Sequence, residues 1–274
     1  MRNCFFFFLF LSSLSSFSQI NLAKETDYND FMITTTLVVM DANPFSGFNQ
    51  TLVNAVETFW KITPYEVISN KEFNAKKKNK NNSFIILSEA SMEVKGKILQ
   101  YNMLNLVLGG KAANLNEMPD LGSVPLSYID TDNEEYLYKL GGVLQFMQFF
   151  VRYNLENPNT DIFKLVQKIE GKVGDKEIWL LPDEVANEVN TPEKLKKYYQ
   201  GKVKFATKDQ IEEAIVKKEA KVLFLHKIGS DENGSICWKF LIEAATGKAV
   251  YFSQDKVDKN NPPLFNDNDF KKLK

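Results

Sequence analysis

Read for the spacing of apolar positions from residue 30 onward, the chain falls into short extended runs separated by stretches of helical periodicity. Thr36 to Met40 (TLVVM) reads as a strand, Phe48 to Thr58 as a helix, Trp60 to Thr63 as a short strand, and a second helix starts at Pro64. After the polar loop Lys76 to Asn82 come a buried-type strand, Phe84 to Ser88, and a longer one, Leu99 to Leu108, which ends at Gly109-Gly110. The order is β-α-β-α-β-β.

The same order returns further on. Ile178 to Leu181 is extended, Pro192 to Gln200 helical, Lys202 to Ala206 extended and Lys208 to Lys218 helical; strands Val222 to His226 and Ile236 to Glu243 complete the set. Equivalent elements lie about 140 residues apart, the signature of an internal duplication. Thr63-Pro64-Tyr65-Glu66 and Thr207-Lys208-Asp209-Gln210 each read as a capping box after the second strand, in which Thr accepts from the third backbone N–H while Glu or Gln reaches back.

Between the halves, Glu134 to Asn154 reads as one helix opened by a capping box at Thr131 to Glu134. Leu137, Leu140, Val143, Leu144, Met147, Phe150 and Val151 make one stripe, which Phe146, Phe149 and Tyr153 widen. Lys139, Gln145, Gln148 and Arg152 interrupt the apolar surface and argue against a membrane span. Two readings follow: a helix packed between the halves, or a partner-binding face at Phe146, Phe149 and Tyr153. Gly141-Gly142 implies close packing, because glycines inside a helix cost propensity and need compensating contact.

The first residues carry a different pattern: a basic start at Arg2, an apolar run from Cys4 to Leu11, and small residues from Ser12 to Ser18. That is the layout of a secretory signal peptide, with Ser16 and Ser18 placed for cleavage before Gln19. The expected organisation is a signal peptide at 1–18, a first α/β unit at 19–125, a helical connection at 126–170, a second unit at 171–255 and a partly extended tail at 256–274. The expected fold class is α/β, with α+β as the alternative.

Composition narrows the chemistry. With 34 basic against 35 acidic side chains, no global field draws the chain to nucleic acid. Loss of the leader leaves Cys237 as the one cysteine, read as a small packed strand residue, and His226 is the one histidine. One histidine and one cysteine supply neither a zinc cluster nor an HExxH helix, and no Gly-x-Ser-x-Gly elbow accompanies His226. Gly109-Gly110-Lys111 lacks the spacing of a phosphate loop, and Asp130, Asp132 and Glu134 begin a calcium-loop pattern that fails at Glu135 and Gly141. No catalytic residue, metal or cofactor is expected.

Candidate ligand-site residues are Asp41, after the first strand, with Asp183 and Glu184 at the equivalent place in the second half. In open α/β sheets ligands sit beyond the carboxyl ends of strands. The same acids also suit the capping of the connection to the next helix.

The last strands run through Glu243-Ala244-Ala245-Thr246-Gly247-Lys248-Ala249-Val250-Tyr251. Together with the element order, this hairpin resembles the small α/β domains of bacterial envelope proteins: the N-terminal domain of the Tol-system β-propeller protein and the lipoproteins that activate peptidoglycan synthases. The resemblance covers each half at most. It implies a protein-binding role without catalysis. The expectation is an exported binding or scaffolding protein of the periplasm or exterior, with a protein or envelope component as partner; the alternative is a secreted hydrolase using Asp and Glu carboxylates alone.

Overall fold

A computed structural model describes residues 21–43, 47–94, 96–161, 164–165 and 173–273. The signal-peptide reading at 1–18 and the Ser18/Gln19 junction lie outside the described residues. The fold is α/β, with two five-stranded mixed sheets.

In the first sheet β1 (Thr35–Val39) pairs in parallel with β2 (Tyr65–Ile68) and β3 (Asn82–Val94), and antiparallel β4 (Lys97–Leu108) and β5 (Val124–Tyr128) follow. The order is β2-β1-β3-β4-β5. The second sheet has β6 (Glu177–Leu180) parallel to β7 (Lys202–Phe205) and β8 (Val222–Ile228), then antiparallel β9 (Ile236–Glu243) and β10 (Ala249–Lys256). Its order from the same edge is β7-β6-β8-β9-β10, so the two sheets share one topology. Each gains a fifth strand beyond the six-element repeat.

Helices α1 (Glu25–Phe31), α2 (Gly47–Phe59) and α3 (Asn70–Lys76) belong to the first unit. The second holds α5 (Pro192–Leu195), α6 (Lys208–Val216) and α7 (Asp267–Lys271), and α4 (Leu140–Glu156) lies between. Right-handed crossovers in a 2-1-3 strand order place their two helices on opposite faces of a sheet. In the first unit α2 meets the shared core and α3 packs outside through Phe73; in the second, α6 meets the shared core through Ile211, Ala214 and Ile215, while Leu195 of α5 packs outside. The duplicated units therefore meet through unlike faces.

Helix α4 fills the space between them. Met147 and Leu144 are fully buried, and one apolar cluster runs from Val38 and Leu52 through α4 to Phe224 and Ile242. The paired glycines permit this. A Cβ on Gly141 would stand 2.3 Å from Phe59 Cε2 of α2, and one on Gly142 2.3 Å from Phe224 Cζ of β8, so one glycine admits each unit. Gly247, at φ +73°, turns the β9–β10 hairpin onto the same helix, where a Cβ would lie 2.2 Å from the Gln145 carbonyl carbon. Gln145 Nε2 donates to Ala244 O at 3.1 Å.

Several local readings are corrected. The segment from Pro64 is a strand: Thr36 N donates to Pro64 O at 2.8 Å, and pairing with β1 overrides the local cap signal. Thr63 is instead a buried hub, hydrogen-bonded to Thr36 and to Trp60 Nε1. The capping box sits at Ser69 and Glu72, equivalent to the one observed at Thr207 and Gln210. Glu134 does not open α4. Two 3₁₀ turns, Asn133–Glu135 and Leu137–Lys139, precede it, and Asp132 makes no cap.

The tail, non-helical up to α7, is docked on the second unit. Phe265, Phe270 and Leu273 are buried, and Lys239 Nζ, buried on β9, meets Asp269 at 2.7 Å and Asp255 at 3.0 Å. Burial disfavours the Lys239 charge, but the carboxylates outweigh it and raise its pKa above the ordinary lysine value. Tyr251 Oη donates to Asp269 at 2.6 Å, fixing α7 to the sheet.

Candidate functional site

Asp41 stands just beyond the carboxyl end of β1. Its backbone N–H donates to Asn49 Oδ1 at 2.7 Å, and its own Oδ1 accepts from Asn43 N at 3.2 Å, so the carboxylate does cap the turn that leads away from the sheet. It also lines a cleft of about 340 Å³ with Asn70, Ser88, Glu89 and Asn102, floored by Val39 and Ile86. The cleft opens where β1 leaves the sheet and β3 continues, the switch position of a 2-1-3 order. Sequence reasoning found Asp41 from its place after a strand. It missed Glu89, which falls just past the strand read at Phe84 to Ser88, and Asn102, which reads as a mid-strand position; both line a site only because β3 and β4 outrun their neighbours.

The acids of the second half have a different fate. Asp183 is exposed, whereas Glu184 is turned inward and accepts from Lys139 Nζ at 3.1 Å. Lys139, nearly inaccessible, also lies 4.9 Å from the Tyr138 ring centroid. Glu184 thus ties the segment entering α4 to the second unit, and is not available as an open ligand site. Lys139 escaped sequence reasoning, since it reads there as a polar break in the α4 stripe.

His226 is buried on β8. Its Nε2 lies 2.8 Å from Pro125 O, and since a carbonyl only accepts, the ring is the Nε2–H tautomer. Burial, then the Lys139 charge, push its pKa down to about 3, against the opposing effect of the Pro125 bond. Such a ring stays neutral near pH 7 and shuttles no proton to solvent. Cys237 is fully buried and its thiol is pushed up to about 11, chiefly by desolvation, which removes thiolate reactivity.

The proposed partner face is in large part interior. Phe146 is buried against Phe240, with ring centroids 6.0 Å apart, which corrects its reading as a docking residue. Phe149 and Tyr153 are half-buried and pack on the shared core. Among the described residues no group of three or more His, Cys, Asp or Glu side chains is arranged to hold a metal ion, and no helix is long and apolar enough to cross a membrane. No protein-family model, curated protein or solved structure matches the chain.

Proposed function

We propose that the chain is an exported binding or scaffolding protein of the bacterial cell envelope that acts without catalysis, on a protein or another envelope component. The observation that carries this reading is where the reactive side chains stand. The histidine and the strand cysteine are buried, and Lys139, Glu184, Lys239 and Asp269 join one element to another. The cleft beside β3 gathers polar groups that face open space: Asp41, Asn70, Ser88, Glu89 and Asn102.

Export rests on the tripartite pattern of residues 1–18. Mass spectrometry of envelope and medium fractions is expected to find a chain beginning at Gln19; intact Met1 recovered from the cytoplasm would refute it. For the absence of catalysis, the purified chain is incubated with envelope glycans, peptides and esters. Turnover lost on Asp41→Asn would establish the carboxylate hydrolase instead.

A further inference from the structure

The strand that borders the cleft has an unused edge. β1 pairs with β3 from Thr35↔Asn82 to Val39↔Ile86 and then departs at Asp41, while β3 runs on to Val94, paired throughout with β4 on its other side. Among the described residues no strand covers β3 from Leu87 to Val94 on the β1 side. That edge is roughly 26 Å long at about 3.3 Å per residue. Its backbone groups form a template for one more strand.

The side chains define what that strand would carry. Glu89, Ser91 and Glu93 are exposed and alternate with the half-buried Ala90, Met92 and Val94. Among the described residues neither Glu89, Glu93 nor Asp41 forms an ion pair. The edge strand of the second sheet differs, since β7 bears Lys202 and Lys204, basic guards of the kind that discourage pairing. On the far side of the β3–β4 turn, Lys97 is held by Glu232 at 2.7 Å and Asn233 O at 2.7 Å, which anchors the hairpin to the second unit. The exposed edge is thus acidic on one face, apolar on the other, and held in place.

Resting on the reading of the chain as a binding protein, we infer that residues Leu87 to Val94 bind an extended peptide segment by strand addition, with basic side chains over Glu89 and Glu93 and apolar ones over Ala90 and Met92. Main-chain hydrogen bonds supply the affinity and alternating side chains the selectivity. Asp41 stands at the cleft end of the strip to receive a further basic side chain.

The test uses a fluorescent, end-blocked hexapeptide of alternating lysine and valine, read by anisotropy and by amide NMR shifts on the chain without its first 18 residues. Saturable binding is expected, with shifts centred on residues 87–94. Backbone N-methylation at alternate peptide residues, or replacement of the lysines by glutamates, is expected to abolish it. Glu89→Gln with Glu93→Gln is expected to weaken it about tenfold at an unchanged melting temperature. No binding, equal binding of the N-methylated peptide, or shifts confined to another strand edge would overturn the inference. Binding elsewhere would leave the binding-protein reading standing, whereas cleavage of the peptide would remove that reading itself.

Discussion

Replacing Gly142 with alanine sets two effects of opposite sign against each other. Alanine inside a helix is favoured over glycine by about 1 kcal/mol, so an unpacked Gly142 would gain stability on substitution. The new Cβ, however, would stand 2.3 Å from Phe224 Cζ, 2.8 Å from Cε1 and 3.3 Å from Ile215 Cδ1. Carbon atoms settle at about 3.5–4.0 Å, so the Phe224 ring must retreat by more than an ångström. Phe224 is fully buried in β8, and overpacking such a site costs about 1–3 kcal/mol. The expected net loss is about 0–2 kcal/mol, read as a lower urea midpoint at unchanged slope. Phe224→Leu opens space at the same contact, so Gly142→Ala combined with Phe224→Leu is expected to be more stable than the sum of the single losses by about 1 kcal/mol. A stabilised Gly142→Ala with no coupling to residue 224 would refute the argument that this glycine admits the second unit to α4.

Three other outcomes follow from buried titratable groups. Lys139→Met leaves Glu184 enclosed without its cation and is expected to cost about 3–5 kcal/mol, most of which Glu184→Leu in the same chain restores; chemical denaturation of the four variants checks it. His226 binds a proton more readily unfolded, near pH 6.5, than folded, at about 3. Stability is therefore full above pH 6.5 and declines as pH falls toward 3, and His226→Gln, which keeps a donor for Pro125 O, is expected to flatten that part of a pH–stability profile. Asp269→Asn removes one of the two carboxylates beside Lys239 and is expected to lower stability by several kcal/mol and expose the tail to limited proteolysis.

Much of the fold was legible because its signals are local. The apolar runs at β1, β3, β4, β8 and β9, the Thr207 capping box and the paired glycines each announce their structure through residue type and spacing. The readings that failed are those in which a distant contact outweighed a local one. Thr63-Pro64 carries a helix-start pattern, yet β1 draws the following residues into a parallel strand. β5 was missed because Val124 to Tyr128 contains Pro125, and a central-strand reading disfavours proline; as the edge of the first sheet it is tolerated. The tail looked polar and proline-rich, while its docking depends on Lys239, a residue about thirty positions away whose burial no periodicity reveals. At the candidate site Asp41 was visible from topology alone, but the cleft exists because β3 outruns β1, and strand lengths relative to neighbours are set by pairing.

The account rests on the two units sharing one core through α4, with Gly141 against the first unit and Gly142 against the second. Differential scanning calorimetry of the chain without its first 18 residues tests this most directly. A shared core predicts a single transition whose calorimetric enthalpy equals the van't Hoff enthalpy. Two resolved transitions, or a calorimetric enthalpy near twice the van't Hoff value, would show that the units fold separately and that α4 does not join them.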